Sequence, residues 1–416
     1  MRRDMVKQSV LFMNAFFTRE RFGTPQIFAG ILLLIFVGEC AWLVAHEYRG
    51  AIGTNESEFV RIEEGLAQWS GQGIAGTPSM KNPLEFSSSG ASESYDAYHS
   101  PLWYLIAAAP VAAFHVYPES WAWLWLTRAP YIIFGTLLGA SLWYVSRRLY
   151  GNAGGYIALG LYCFSPAVIR SSVLWAADAN IGGAWGTFGA VFTAIAVSHT
   201  LYAAREVVLW NWRRTLLLGV SLTLAVGSHF MLAIILPALL GFMLYVAPQR
   251  KLAATIILIS ACIVASVLLF ASYFFHPRIF FSGLAHARLL DASWRAAAMS
   301  GAYLQLGREI LASGPVLIVM VPAALTVYFV WRRTRYFGNT APLLMAALFM
   351  VLRVFSPHSS GSIFGLAAVV FLFVFVAGIA ADLVETKARE AVSAVIVGLV
   401  AANALWDLLA LARIGR

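Results

Sequence analysis

Long apolar runs, separated by short clusters of charge, extend along almost the whole chain. A helix that crosses the hydrocarbon core of a membrane needs about 20 predominantly apolar residues. The pattern therefore predicts an all-α protein with about eleven membrane-spanning helices. The predicted spans are 27–46, 122–146, 151–173, 180–202, two within 215–247, 252–274, 314–331, 341–355, 363–381 and 391–411.

Two apolar runs do not fit the simple pattern. The run 215–247 is too long for one span and is interrupted at Gly227-Ser228-His229, which predicts two helices with an external tip. The run 101–117 is short, and Arg147 and Arg148 become cytoplasmic only if it does not cross. We therefore expect 101–117 to lie in the outer interface, a depth that suits its tryptophan and tyrosine residues.

The distribution of basic residues predicts the orientation. Five Arg and Lys residues precede the first span, so the N-terminus is expected in the cytoplasm. Residues 1–26 then form a cytoplasmic amphipathic segment, and 27–416 form a single transmembrane domain. Within that domain, 47–121 is the first external loop, with interfacial helices, and 275–313 is the second. No soluble domain and no inverted repeat stand out.

Composition excludes several other classes of protein. The 416 residues are 60% hydrophobic and 12% charged, and a soluble domain is about 25% charged. The net charge is +9. Lys and Arg residues collect in the cytoplasmic loops of membrane proteins, and this alone can give a positive total. We therefore expect membrane lipids, and no nucleic acid, as partners. The cysteines Cys40, Cys163 and Cys262 lie in apolar runs and read as buried small side chains.

Acidic residues concentrate in the first external loop. Glu56 and Glu58 begin a predicted helix in the segment TNESEFVRIEEGLAQWS. They are candidates for acid–base chemistry, and the alternative is that they stabilise a helix N-terminus on a solvated face. Asp178 is a second candidate, because it lies in an apolar setting between two predicted spans. We expect no acidic or basic residue near the middle of the membrane.

Basic residues lie at the same predicted face and would suit an anionic lipid headgroup. The alternative is ordinary snorkelling of long side chains at the outer interface. The group comprises His229, Arg278, His286, Arg288, Arg295, Arg308, Arg353 and His358.

These features together resemble the GT-C membrane glycosyltransferases, in particular the group that contains protein O-mannosyltransferases and lipid A aminoarabinose transferases. The resemblance follows the order and spacing of several short motifs over spans one to ten. The motifs are Asn55-Glu56, Tyr98-His99-Ser100-Pro101-Leu102-Trp103-Tyr104, Thr127-Arg128-Ala129-Pro130, Arg147-Arg148-Leu149-Tyr150-Gly151, Ser165-Pro166 with Arg170 and Ala177-Asp178-Ala179, Ser228-His229-Phe230, and the turn 356–363.

The resemblance implies transfer of a sugar from a polyprenyl-phosphate donor to a lipid, glycan or protein acceptor, with inversion, on the extracytoplasmic face of a bacterial inner membrane. Glu56 or Glu58 is then expected to act as the base, with Asp178 positioning the acceptor. The expected ligands of the lipid phosphate are His99, Arg128, His229, Arg288 and His358.

The chain departs from the family pattern at two positions. Asn55 stands where relatives carry the aspartate taken as the base, and an amide is a poor proton acceptor. His99 stands where relatives often have lysine. Because of Asn55, a second possible function is that of a non-catalytic scaffold or of a subunit in a larger complex. A third is that of a lipid or solute transporter. No cofactor is implied with certainty, no metal-ligand cluster is evident, and relatives differ in whether they need a divalent cation.

Overall fold

A computed structural model of the chain describes residues 23–49, 56–71, 97–117, 120–174, 179–202, 212–356 and 361–414. These residues form helices and connecting turns, with no strand among them. The helices are α1 (Thr24–Arg49), α2 (Glu56–Trp69), α3 (Leu102–Phe114), α4 (Trp121–Cys163), α5 (Pro166–Ser172), α6 (Asn180–Thr200), α7 (Trp212–Ser228), α8 (Ile235–Val246), α9 (Lys251–Ser272), α10 (Pro277–His286), α11 (Trp294–Ala297), α12 (Ser300–Ser313), α13 (Leu317–Val330), α14 (Phe337–Phe355), α15 (Ser362–Val384) and α16 (Arg389–Ile414).

Helix α4 is two antiparallel helices joined at Gly151. That residue has φ 74° and ψ −172°, a conformation that glycine adopts without steric cost. The Tyr162 hydroxyl donates a hydrogen bond to the carbonyl of Gly135 (2.5 Å), and Gly155 lies against Arg147. The chain therefore reverses direction at Gly151, as expected for the predicted spans 122–146 and 151–173.

The long apolar run 215–247 is broken at the predicted place. Helix α7 ends at Ser228, His229 is extended, and a 3₁₀ helix (Phe230–Ile234) leads into α8. Helix α7 lies close to α6, because a Cβ atom added to Gly186 would be 2.3 Å from the backbone nitrogen of Ala225. Small residues at such a crossing let two helix backbones approach closely within a membrane.

In the part of the chain that the structure describes, seven helices are long and apolar enough to cross a membrane, counting α4 once. Counting the bent pair α12–α13 as one span brings the number to eight, and α7, α8 and the second half of α4 are shorter. Helix α13 is bent by 104° against α12. The structure confirms an all-helical chain with several helices of membrane-spanning length.

Helix α15 forms the centre of the bundle. All of its side chains from Ile363 to Ala381 are buried, and the helix is apolar on every face. A helix that is hydrophobic all round is expected to be enclosed by other elements. Helices α4, α6 and α14 lie against it.

Helix α3 fits the predicted interfacial segment 101–117. It has 13 residues, which corresponds to a length of about 20 Å, whereas the hydrocarbon core is about 30 Å thick. It ends at His115, whose backbone is left-handed (φ 52°). Helix α3 lies against α2 on one side and α4 on another.

Candidate functional site

The site lies at the end of the bundle where α7 ends and α8 begins; we call this the outer end, following the predicted topology. Residues 98–100 run along the break between these helices. Ser100 donates hydrogen bonds to the carbonyl of Gly227 from its backbone nitrogen (3.1 Å) and its hydroxyl (2.8 Å). The backbone nitrogen of Phe230 donates to the carbonyl of Tyr98 (2.7 Å). The break in α7–α8 and the segment before α3 therefore fix each other.

This contact brings two predicted histidines together. The ring centroids of His99 and His229 are 4.9 Å apart, with the rings edge to face. His229 is only 3% exposed. Its Nδ1 accepts a hydrogen bond from the backbone nitrogen of Met231 (3.4 Å), so the neutral ring carries its proton on Nε2. His229 thus has the tautomer that offers Nε2–H as a donor.

Arg288 joins the same group through Tyr98. Its backbone nitrogen donates to the carbonyl of Ala97 (2.7 Å), and its guanidinium donates to the Tyr98 hydroxyl (3.2 Å). That hydroxyl donates in turn to Oδ2 of Asp291 (3.0 Å). Three of the predicted phosphate ligands therefore lie in one place. We call Tyr98, His99, His229, Arg288 and Asp291 the Tyr98 cluster.

A buried ion pair extends from this cluster to the turn after α14. The Arg353 side chain, 1% exposed, donates from Nε to the two carboxylate oxygens of Glu309 (3.0 and 2.9 Å). It also donates to the carbonyl of Ser356, and the hydroxyl of Ser356 donates to the carbonyl of Asp291. The interpretation of Arg353 as a snorkelling side chain is therefore wrong, because its charge is paired inside the protein. The pairing with Glu309 could not be read from the sequence, since the two residues are 44 positions apart.

Arg128 lies near the start of α4. It is completely buried and donates to the Thr127 hydroxyl (3.1 Å). One turn later, the Tyr131 hydroxyl donates to the carbonyl of Trp103 (2.8 Å), which places this part of α4 against α3. Arg128 is thus beside the helix that directly follows His99.

The predicted acidic residues are only partly described. Helix α2 begins at Glu56, with Glu58 in its first turn, as the sequence predicted. The side chains of both lie outside the described residues, as do Asn55, Asp178 and His358. Their proposed roles stay predictions.

Helix α2 is held on α3 by contacts further along. Trp69 donates from Nε1 to the carbonyl of Leu105 (2.9 Å), and the Arg61 guanidinium lies 5.8 Å from the centroid of the Trp103 ring. A Cβ atom added to Gly65 would be 2.9 Å from the carbonyl oxygen of Tyr104. Two helices of the first external loop therefore form one unit that leads to His99.

One further carboxyl group on α2 has an altered acidity. Burial raises the pKa of Glu64 from 4.5 to about 8, although the charge of Arg61 opposes the shift. A carboxyl group with a pKa near neutrality is a candidate for proton transfer. The sequence placed Glu64 among the loop acids without distinguishing it, because burial depends on the contact with α3.

An apolar groove of about 870 Å³ lies between α8, α9 and α10. Its outer end is formed by Leu236 and Pro237 of α8 and by Phe280 of α10. Helix α8 follows His229 through the 3₁₀ helix, and α10 precedes Arg288. Two of the three helices that line the groove are therefore neighbours along the chain of the segments that carry His229 and Arg288.

Among the residues that the structure describes, no group of three or more His, Cys, Asp or Glu side chains is placed to hold a metal ion.

No protein-family profile matches the sequence, and no curated protein matches it. Solved structures of the oligosaccharyltransferase of Archaeoglobus fulgidus do match its fold. The apo form gives a TM-score of 0.54 at 13% identity, over 92% of this chain and 56% of that one. The complex with an inhibitory peptide and a dolichol-phosphate gives 0.51 at 15% identity, over 77% and 48%. The complex with Zn and sulfate gives 0.51 at 14% identity, over 77% and 45%.

The chain thus spans about half the length of the oligosaccharyltransferase chains that it matches. At this level of identity the likeness concerns the arrangement of helices. The chain has the GT-C fold.

Proposed function

We propose that this protein is a glycosyltransferase that moves a sugar from a polyprenyl-phosphate donor to an acceptor hydroxyl or amine at the outer face of the membrane, with inversion. The observation that carries the proposal is the Tyr98 cluster, which brings Arg288, His99 and His229 together, in a protein that also has an apolar groove between α8, α9 and α10. An isoprenoid chain in the groove would bring its phosphate to Arg288, His99 and His229.

The solved relatives support this donor class in general terms. One is a complex with a dolichol-phosphate, which is a polyprenyl-type lipid phosphate. Arg288 and the Nε2–H group of His229 are donors of the type that stabilises a phosphate oxygen, and such donors are most effective where water is excluded. His229 meets that condition, because it is buried.

In the proposed reaction, a carboxylate accepts the proton of the acceptor as the acceptor atom attacks the anomeric carbon. The bond between that carbon and the phosphate oxygen breaks, and the lipid phosphate leaves with the bonding electrons. Glu56 or Glu58 is the proposed base, and Asp178 is proposed to position the acceptor. Arg288, His99, His229, Arg128 and His358 are proposed to hold the phosphate as its charge increases.

The test is transfer from a labelled polyprenyl-phosphate sugar by the purified protein in lipid. We expect Arg288→Gln to lower kcat/KM by about tenfold or more, because a donor to the departing phosphate is lost. Arg278→Gln is the matched control, since it removes an exposed arginine of α10 while leaving the Tyr98 cluster intact. Equal activity in the two variants would contradict the proposed role of Arg288.

A second variant addresses the acidic residues. Asp178→Asn removes the negative charge but keeps a side chain of nearly the same shape. We expect it to lower transfer by orders of magnitude. Wild-type transfer by that variant would remove Asp178 from the mechanism.

The second candidate function is a non-catalytic GT-C scaffold, which Asn55 specifically favours. The discriminating variant is Asn55→Asp. If transfer is absent from the natural protein and arises only in this variant, the natural chain binds the lipid donor without turnover.

A further inference from the structure

Two acidic side chains that belong to none of the proposed site residues face each other inside the bundle. Glu39 of α1 is 7% exposed and Asp407 of α16 is completely buried. Both lie in the interior of helices predicted to span the membrane. The expectation that no charged residue would lie near the middle of a span is wrong at Glu39, which is near the centre of the predicted span 27–46. Asp407 lies four residues before the end of the predicted span 391–411.

The two carboxyl groups are neighbours that lack a proton donor. Helices α1 and α16 lie against each other, and the two carboxyl groups interact there. All four of their oxygen atoms are inaccessible, and no N–H or O–H group in the described part of the chain donates to any of them. A buried acceptor without a donor is costly, and two facing carboxylates also repel each other.

Among the residues that the structure describes, one charged group is known to interact with the pair. Arg170 of α5 interacts electrostatically with Asp407. The other titratable groups around the pair are the buried thiols of Cys40, on α1, and Cys163, at the end of α4, together with the Tyr162 hydroxyl that faces these thiols. Two carboxylates and one guanidinium leave one negative charge without a counter-charge.

We propose that Glu39 and Asp407 form a proton-binding site that holds one proton between their carboxyl groups. The proton supplies an O–H donor from one carboxyl to the other. Arg170 then balances the single remaining negative charge. The inference concerns a site outside the proposed glycosyltransferase site and does not depend on that function.

The surroundings favour a proton over a metal ion. Two carboxyl groups offer at most four oxygen ligands, whereas Ca²⁺ takes six to eight and Mg²⁺ requires six in octahedral geometry. The guanidinium of Arg170 would also repel a second cation. A single proton needs only one oxygen atom from each carboxyl group. It also leaves one negative charge on the pair, which Arg170 balances.

The proton also connects α16 to the bundle. Asn403 lies one turn before Asp407 on the same face of α16 and donates to the carbonyl of Phe164 (2.7 Å). Asn403 and Asp407 are the buried polar residues of the described part of α16. If the proton were lost, two negatively charged carboxylates would face each other at Asp407, which is one of these two buried polar residues of α16.

The test is infrared spectroscopy of the full chain in lipid at neutral pH, where a protonated carboxylic acid has its own carbonyl band. We expect wild-type minus Glu39→Gln and wild-type minus Asp407→Asn difference spectra each to show loss of that band. The control Glu390→Gln, at an exposed position at the start of α16, should leave it unchanged. Glu64 contributes equally to every sample and cancels in the differences. Retention of the full band in both variants would overturn the proposal.

A second measurement distinguishes a proton from a metal ion and does not need both variants to fold. Addition of Na⁺, Ca²⁺ or Mg²⁺ should shift the Tm of the wild type and of Glu39→Gln by the same amount. A cation-dependent rise in Tm confined to the wild type would assign the site to a metal ion and overturn the proposal.

Discussion

At the scale of single residues, Tyr98 holds the candidate site together. Its hydroxyl accepts from Arg288 and donates to Asp291, and its ring centroid is 5.8 Å from that of His229. The sequence shows Tyr98 only as the aromatic residue before His99. Its role depends on contacts with residues about 190 positions later, and no local pattern predicts such contacts.

The first prediction concerns this hydroxyl. Tyr98→Phe keeps the ring but removes both hydrogen bonds, so Arg288 and Asp291 lose their common partner. We expect kcat/KM for transfer to fall by about tenfold, the equivalent of one hydrogen bond to a charged group. Tyr303→Phe, which removes an exposed tyrosine hydroxyl of α12, should leave transfer unchanged. A Tyr98→Phe enzyme with wild-type kinetics would show that the hydroxyl does not position Arg288.

The second prediction concerns Glu64 and pH. Its pKa is about 8 in the folded chain against an ordinary value of 4.5, so the folded state binds more protons than the unfolded state between these values. The free energy of unfolding should therefore fall as pH rises from about 4.5 to 8 and level off above that range. Glu64→Gln should remove this contribution and make the protein relatively more stable at alkaline pH. The measurement is Tm against pH for the two proteins, and parallel curves would contradict the shift.

At the scale of elements, close approach of helices decides whether the site forms. Helix α2 can lie on α3 because position 65 is glycine. The sequence predicted both helices: α2 from its capping residues and early acids, and α3 from its short apolar run. The contact between them could not be predicted, because it depends on one missing side chain at a crossing point.

The third prediction follows from that contact. Gly65→Ala improves helix propensity, but the added methyl group would lie 2.9 Å from the Tyr104 carbonyl oxygen. We expect a net loss of stability of about 1–3 kcal/mol, as for other overpacked contacts, with a loss of transfer. Gly38→Ala is the matched control in α1, where nothing lies within 4 Å of the added atom. Thermal unfolding of both variants checks the difference, and equal effects would contradict the close approach.

At the scale of the whole molecule, apolar periodicity predicted an all-helical chain with several helices long enough to span a membrane. The Arg147–Gly151 reversal and the break at Gly227–His229 were predicted correctly, because charge and glycine mark them locally. The central position of α15 was not predicted. Its sequence is that of a very apolar span, and hydropathy alone does not distinguish a helix that faces lipid from one that faces other helices.

The fourth prediction concerns orientation. In a chain with Cys262 replaced by serine, Trp294→Cys should react with a membrane-impermeant maleimide on intact cells, because residue 294 is 83% exposed at the outer end. Lys251→Cys, at the start of α9, should react only after permeabilisation. The opposite pattern would place the Tyr98 cluster on the cytoplasmic side.

The central position of α15 has a consequence for biosynthesis. Helix α15 follows α4, α6 and α14 along the chain, so the ribosome delivers the middle of the bundle after the helices that surround it. Until then α4, α6 and α14 have no final partner for the faces that α15 will cover. Those faces can therefore reach their final packing only after α15 has left the insertion machinery.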